Sequence, residues 1–358
     1  MFGTALSRRF SESRVEFLEV DGSYGEGGGQ ILRTALMFSI ITGRPVRVSK
    51  IRAGREVPGL RRQHVSSLRV LSSVFDSRLE GVAEGSSEVS FMPGPPRADS
   101  IFLDMKTAAS ITLVLQAVVP AVALTRSRLT LELMGGTDVP WSPTFDYFDA
   151  IVRRAYGAIG IRFSARVVRR GYYPRGGGRV VVKVEPCEAL RPLRLTESPR
   201  VEAVDLTSRC AMLPRHVAER QVSSAASELK KNGLRIGQRL VTEEPAESPG
   251  SSVLVSSSGD SFFLGSDELG ARGRPSEEVG RAAAERFASF VRFGACVDDN
   301  LADMLAPLLS LASNPSALRA ARVSEHLTSG FYVAKLFSSC DFTVEEEGHS
   351  AVVGVKPR

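Results

Sequence analysis

One order of elements recurs along the chain: strand, helix, strand, helix, strand, strand. In the first copy a strand covers residues 15–20, a glycine-opened helix runs to Gly43 with Pro45 just beyond, and a second strand covers 46–51. A helix over about 60–75 turns Val65, Leu68, Leu71 and Phe75 to one face, and short strands near 79–82 and 88–91 close the unit. The second copy reads as strand 101–105, apolar helix 110–124, strand 129–134, helix 144–158 and strands near 161–168 and 179–184. The third reads as helix 300–311, strand 318–323, helix 324–337 and closing strands 342–346 and 351–355. Residues 187–275 break the rhythm with a strand at 201–206, a helix at 215–231 and strands near 239–242, 252–256 and 262–264. Units of this kind bury their apolar faces against one another. The pattern therefore predicts an α/β (α+β) chain: three repeated βαβαββ modules in a main body, 15–186 and 276–358, with a small α/β domain, 187–275, inserted in the third. A helix at 276–293 returns the chain to the main body, and residues 1–14 form a polar, arginine-bearing, flexible N-terminal tail.

At 358 residues and 43% hydrophobic content the chain can build more than one core. Its longest apolar run, 111–124, is interrupted by Gln116 and Pro120 and falls short of the roughly 18 residues that span a bilayer. The first residues carry no hydrophobic signal region. We expect no membrane and a cytoplasmic location. Cys187, Cys210, Cys296 and Cys340 are widely spaced with no Cys-x-x-Cys pair, which argues against structural zinc and a disulfide framework. The net charge is +6, and only seven of the 46 basic residues are lysine. Arginine's planar fork suits phosphate, and a basic surface suits a polyanion such as nucleic acid. The same bias also suits life at high temperature.

The densest local signal is Asp21-Gly-Ser-Tyr-Gly-Glu-Gly-Gly-Gly-Gln-Ile-Leu-Arg33. Glu26 precedes three glycines, Gly27 to Gly29, and a helix then opens. Extended backward, the helical spacing puts Glu26, Gln30 and Arg33 on one stripe, with Ile31, Ala35 and Phe38 opposite. Glycines let a ligand approach the backbone, and a helix N-terminus offers unpaired N–H groups to anions. An acid, bare amides and an arginine suit a metal-bound polyphosphate, although the Gly-Lys-Ser/Thr ending of a Walker A loop is missing. A glycine turn with a Glu favoured by the helix dipole explains the run equally well.

His326 follows Ser324, which reads as an N-cap, so the imidazole falls in a first helical turn. The positive end of the dipole there disfavours imidazolium. Gln116 stands in an apolar helix and needs polar partners. Asp303 lies opposite the stripe of Leu301, Leu305 and Leu308.

Five stretches in fixed order make the chain resemble the RNA 3′-terminal phosphate cyclase family over nearly its whole length. They are 21–33; Ile51-Arg52-Ala53-Gly54-Arg55 with Pro58-Gly59-Leu60 and Gln63-His64; Gly135-Gly136-Thr137-Asp138 with Ser142-Pro143; Gly171-Tyr-Tyr-Pro-Arg-Gly-Gly-Gly178; and Ser-Glu-His-Leu-Thr around His326. The resemblance implies three repeats like those of enolpyruvyl transferases plus an inserted domain. It implies a ligase-type, ATP-dependent conversion of an RNA 3′-terminal phosphate to a 2′,3′-cyclic phosphate, with AMP and pyrophosphate released. His326 would be the nucleophile that carries AMP, and Glu26 would hold Mg²⁺ or another divalent metal. Gly27, Gly28, Gln30, Arg33, Arg52, Arg55, Gln63, His64, Gln116, Pro143 and Asp303 would surround the nucleotide. The partner would be RNA with a 3′-terminal phosphate, and a homodimer stays open. The chain departs from the family pattern at Asn300, often aromatic; at Met304, commonly Gln; and at Ser329-Gly330, often Thr-Asn. Two other functions compete: a non-catalytic cyclase-like scaffold in ribosomal RNA processing, which would lack the nucleophilic histidine, and enolpyruvyl transfer, whose substrate signatures are missing.

Overall fold

The computed structural model describes residues 16–358. The tail expected at 1–14, and Val15 of the first expected strand, lie outside the described residues. The first sheet contains β1 (Leu18–Asp21), β2 (Val46–Ser49), β3 (Arg78–Glu80) and β4 (Val89–Met92) in the order β1-β2-β4-β3. β1 and β2 run parallel, and the other neighbours antiparallel. Between the strands come α1 (Gly29–Thr42) and α2 (Arg62–Val74). Gly43 ends α1 at φ +70, a conformation a side-chain-bearing residue seldom adopts.

The second sheet contains β5 (Ser100–Asp104), β6 (Leu129–Gly135), β7 (Phe163–Arg169) and β8 (Gly178–Val184) in the order β5-β6-β8-β7, with the same pattern of directions. Ser110 caps α3 (Ile111–Leu124), which is buried almost all round, as its composition requires. The single helix expected at 144–158 contains a change of winding. α4 (Phe145–Tyr147) passes through a π turn, Phe148–Val152, into α5 (Arg153–Ala158).

β9 (Arg194–Leu195) precedes a third sheet made of β10 (Val204–Ala211), β11 (Ile236–Glu243), β12 (Gly250–Gly259) and β13 (Phe262–Leu269), ordered β11-β10-β12-β13. α6 (His216–Lys231) and α7 (Ser276–Arg292) pack on each other and on that sheet. α8 (Asp299–Leu309), β14 (Ser316–Ala320), α9 (Glu325–Phe337), β15 (Cys340–Glu347) and β16 (Ser350–Pro357) follow, and the last sheet is ordered β15-β16-β14-β9. Read from β9, its order and directions match the first two sheets.

Two elements cross the boundaries expected at 187 and 275. β9 pairs with β14 rather than with β10–β13, and α7, taken as the return to the main body, covers the β10–β13 sheet. The first is too short to show periodicity. The second has a clear apolar face (Val279, Ala283, Phe287), but a face does not name its partner.

Helices from all three like-ordered sheets meet. α1 packs against both α3 and α9, α2 against α3, and α8 against α9. Phe38 of α1 stacks on Phe337 of α9 with ring centroids 5.7 Å apart. Gly330 costs α9 up to about 1 kcal/mol relative to Ala, but a Cβ there would lie 2.7 Å from Pro307 of α8. Its absence lets the two helices touch. Among the described residues no helix is long and apolar enough to cross a membrane.

Candidate active site

α1 begins at Gly29, so Glu26 belongs to the loop before the helix and not to a helical stripe with Gln30 and Arg33. The loop turns through Gly25 and Gly27, both at φ +59. Gly28 occupies the N-cap position, where a Cβ would collide with Glu26 Oε1. At Gly29 a Cβ would fall against His64 Nε2. The two bare positions thus let a carboxylate and an imidazole close on the start of α1.

The loop is clamped to α9. Tyr24 stacks on Tyr332 with centroids 4.2 Å apart, and the Asp21 N–H donates to the Tyr332 hydroxyl at 3.0 Å. Gln30 Nε2 donates to the His326 carbonyl at 3.3 Å, so this amide holds the histidine's backbone. Ser324 caps α9 as the sequence predicts, accepting from Leu327 N at 2.9 Å, which puts His326 in the first turn. The Ser324 hydroxyl in turn donates to Asp303 Oδ1. Burial pushes the Asp303 carboxyl up to about 8 despite that hydrogen bond.

His326 Nδ1 lies 2.8 Å from Glu26 Oε1 without hydrogen-bond alignment, and Glu26 Oε2 lies 3.2 Å from Arg55. Nδ1 is buried whereas the side chain as a whole is 45% exposed, so Nε2 is the nitrogen open to the cleft. Burial holds the His326 pKa below its ordinary 6.5. Glu26 opposes this, and Arg33 and Arg55 reinforce it. The ring is therefore neutral at pH 7.

His64 is buried, and its Nδ1 accepts from Arg61 N at 3.0 Å at the start of α2. Burial, then Arg33, Arg52 and Arg61, push its pKa down to about 3. A neutral imidazole whose Nδ1 accepts must carry its proton on Nε2, so His64 is a fixed N–H donor aimed at the α1 terminus. Burial lowers the Arg33 guanidinium to about 10, still charged at neutral pH. Among the described residues Arg33 makes no ion pair, and Arg52 donates only to the carbonyls of Val57 and Gly59, at 2.9 and 3.2 Å. Two cations that form no salt bridge among the described residues, an N–H donor and a helix N-terminus make a site suited to a polyanion.

These groups line one cleft of about 1730 Å³. Gln63, Gln116, Pro143 and Asp303 face the same space as Glu26, Gly28, Gln30, Arg33, Arg52, Arg55, His64 and His326. Gly27 does not. It is buried, and its N–H donates to Tyr24 O at 3.1 Å, so it shapes the turn. Asn300 and Met304, two departures from the family pattern, also line the cleft.

The far wall rests on a buried ion network that sequence reasoning missed. Arg170 reaches Asp138 at 3.1 Å, Asp146 at 2.8 Å and Glu244 at 2.7 Å, and Arg209 pairs with Asp146 and Glu244. Burial raises the Asp138 pKa; at Asp146 the two arginines outweigh burial and lower it. The network fixes β10 and the loop after β11 to the second sheet. An arginine just beyond a strand, with partners 32, 24 and 74 positions away, gives no local signal.

The family model described as RNA 3′-terminal phosphate cyclase matches residues 24–344. Relatives named RNA 3′-terminal phosphate cyclase include that of Hyperthermus butylicus, 43% identical over 324 residues, which are 88% of this chain and 90% of the relative. Another, from Thermococcus kodakarensis, is 40% identical over 333 residues, 93% of this chain and 96% of that one. Among solved structures, the enolpyruvyl transferase NikO from Streptomyces tendae aligns with 94% of this chain and 47% of its own, at 9% identity and a TM-score of 0.38, too low to carry an argument about fold. On the family match and these identities, the chain belongs to the RNA 3′-terminal phosphate cyclase family.

Proposed function

We propose that the protein uses ATP to convert an RNA 3′-terminal phosphate into a 2′,3′-cyclic phosphate. The observation that carries this is a neutral imidazole, His326, with Nε2 open to a cleft that also gathers Arg33 and Arg52, neither in a salt bridge among the described residues, and the N–H of His64. The names of the similar proteins support the same reading.

In the first step Nε2 attacks the α-phosphorus of ATP, and the bond to the bridging oxygen breaks. Pyrophosphate leaves with that electron pair, and His326 carries AMP. The proton on Nδ1 stays beside Glu26, whose carboxylate balances the positive charge that the ring acquires. Next, an oxygen of the RNA terminal phosphate attacks the same phosphorus, and the imidazole leaves neutral. The RNA end now bears AMP as a leaving group. Finally the neighbouring 2′-hydroxyl gives its proton to solvent, its oxygen bonds to the terminal phosphorus, and the bond to AMP breaks with AMP taking the electron pair. That attack is intramolecular, so proximity supplies much of its rate.

Arg33, Arg52 and His64 would hold the polyphosphate and stabilise charge on the departing pyrophosphate. Gln116, Pro143 and Asp303 would frame the nucleoside. Gln30 would act through the His326 backbone. Mg²⁺ commonly takes one or two protein carboxylates together with substrate phosphates. Glu26 fits that use, and among the described residues no group of three or more metal-binding side chains offers a closed cage. Glu26 would share such a cation with the nucleotide, where it would neutralise phosphate charge. We also read residues 204–292 as a small domain inserted into the third of three βαβαββ modules.

The test is to incubate the protein with α-³²P-ATP and a divalent metal and then denature it. Acid-labile label on wild type that disappears in His326→Ala supports the proposal. Wild type that takes no label under several metals leaves the non-catalytic scaffold.

A further inference from the structure

The cleft exceeds what a nucleotide needs. Its volume of about 1730 Å³ is well above the about 300–1,000 Å³ of a usual small-molecule pocket. Its walls also differ in kind. The first and last sheets bring the cations and His326. The second sheet and the β10–β13 unit bring Trp141, Tyr173 and Arg272.

Trp141 is 95% exposed and Tyr173 is 66% exposed. Trp141 sits at φ +67, a conformation rare for a bulky residue and one that persists only where the surroundings impose it. Its loop is tied on both sides. Ser142 Oγ donates to Val139 O at 2.9 Å, and Thr112 Oγ1 donates to Pro143 O at 2.8 Å. The Tyr173 loop is tied as well: Arg175 N donates to Ser248 Oγ at 3.2 Å, and Gly176 N to Tyr172 O at 2.8 Å. Two rings thus stand in solvent on fixed backbone, and among the described residues neither stacks on another ring. Arg272 is exposed and makes no ion pair among those residues. Free aromatic faces with an unpaired guanidinium in a net-positive chain match single-stranded nucleic acid, whose bases stack and whose phosphates need cations.

We infer that this wall seats the last unpaired nucleotides of the RNA strand, with bases stacked on Trp141 and Tyr173 and a backbone phosphate on Arg272. The inference rests on the RNA-end reading above. It makes recognition tolerant of sequence, because every base has a face to stack.

Trp141 is the sole tryptophan of the chain, so its emission reports directly on that wall. The experiment titrates the full-length protein with a single-stranded oligoribonucleotide bearing a 3′-phosphate and follows both tryptophan emission and filter retention of the RNA. Saturable quenching that tracks retention is the expected result. Trp141→Ala and Tyr173→Ala should each raise Kd about tenfold, and Trp141→Phe, which keeps a ring, should recover most of the loss. RNA retained with unchanged emission, or with unchanged Kd in both alanine variants, overturns the inference. The same holds if a protein partner, and not RNA, quenches Trp141. The two readings can fail separately. Quenching without ATP label on His326 sinks the catalytic proposal and supports this one; label without quenching does the reverse.

Discussion

Protonating His64 should destabilise the fold, by an amount that follows from its surroundings. The ring is 5% exposed, and burial together with Arg33, Arg52 and Arg61 lowers its pKa from 6.5 to about 3. Between those values the unfolded chain binds the proton and the folded chain does not, so stability falls as pH falls. Above pH 6.5 the ring is neutral in both states and nothing is lost. At pH 5 the folded ring is still neutral, so the loss depends only on the unfolded value. A gap of about 1.5 pH units at about 1.36 kcal/mol each gives about 2 kcal/mol. Near pH 3 the loss reaches about 4 kcal/mol. The assay is urea unfolding of wild type and His64→Asn at pH 7 and pH 5. Asparagine can still accept from Arg61 N but does not titrate. Groups that titrate alike in both proteins cancel, so wild type should lose about 2 kcal/mol relative to the variant. A difference that stays constant between the two pH values would refute the burial argument.

Gly28→Ala puts a methyl where the Glu26 carboxylate lies, at ordinary backbone angles. Self-adenylylation should fall by about tenfold or more while the melting temperature barely moves, read by α-³²P-ATP labelling beside a thermal scan. Ser324→Ala removes the α9 cap, about 1 kcal/mol, and the donor to buried Asp303, about 1–3 kcal/mol more; urea unfolding should show a combined loss of about 2–4 kcal/mol. Arg170→Met leaves Asp138, Asp146 and Glu244 facing one another without their central cation. It should cost about 3–5 kcal/mol at pH 7, and less at pH 4 as the carboxylates protonate, measured by the same unfolding at both pH values.

Much of the secondary structure was legible because it rests on short-range rules. Gly43 ends α1 and Ser324 caps α9 where their residue types require. The apolar stripes of α1 and α2 turn inward as their spacing dictates. What escaped depends on partners distant in sequence. Spacing alone puts Glu26 on a helical stripe, but the space left by Gly28 lets it fold back as a loop residue toward His326. The positive φ of Gly27, which shapes the turn, is not visible in a run of glycines. Gln30 faces the cleft as its helical position suggests, but that its amide also holds a carbonyl 296 positions away gives no local signal. The π turn at Phe148–Val152 leaves no trace in periodicity, because one added residue per turn hardly changes an apolar pattern.

The clamp between the glycine loop and α9 has a consequence for biosynthesis. During translation the Glu26 loop and Arg55 emerge long before Tyr332 exists to stack on Tyr24. Until α9 arrives, a growing chain holds Glu26 and Arg55 but not the His326 imidazole that lies against Glu26 in the finished fold. On the proposed mechanism an incomplete polypeptide therefore cannot consume ATP, and self-adenylylation begins only once α9 has docked.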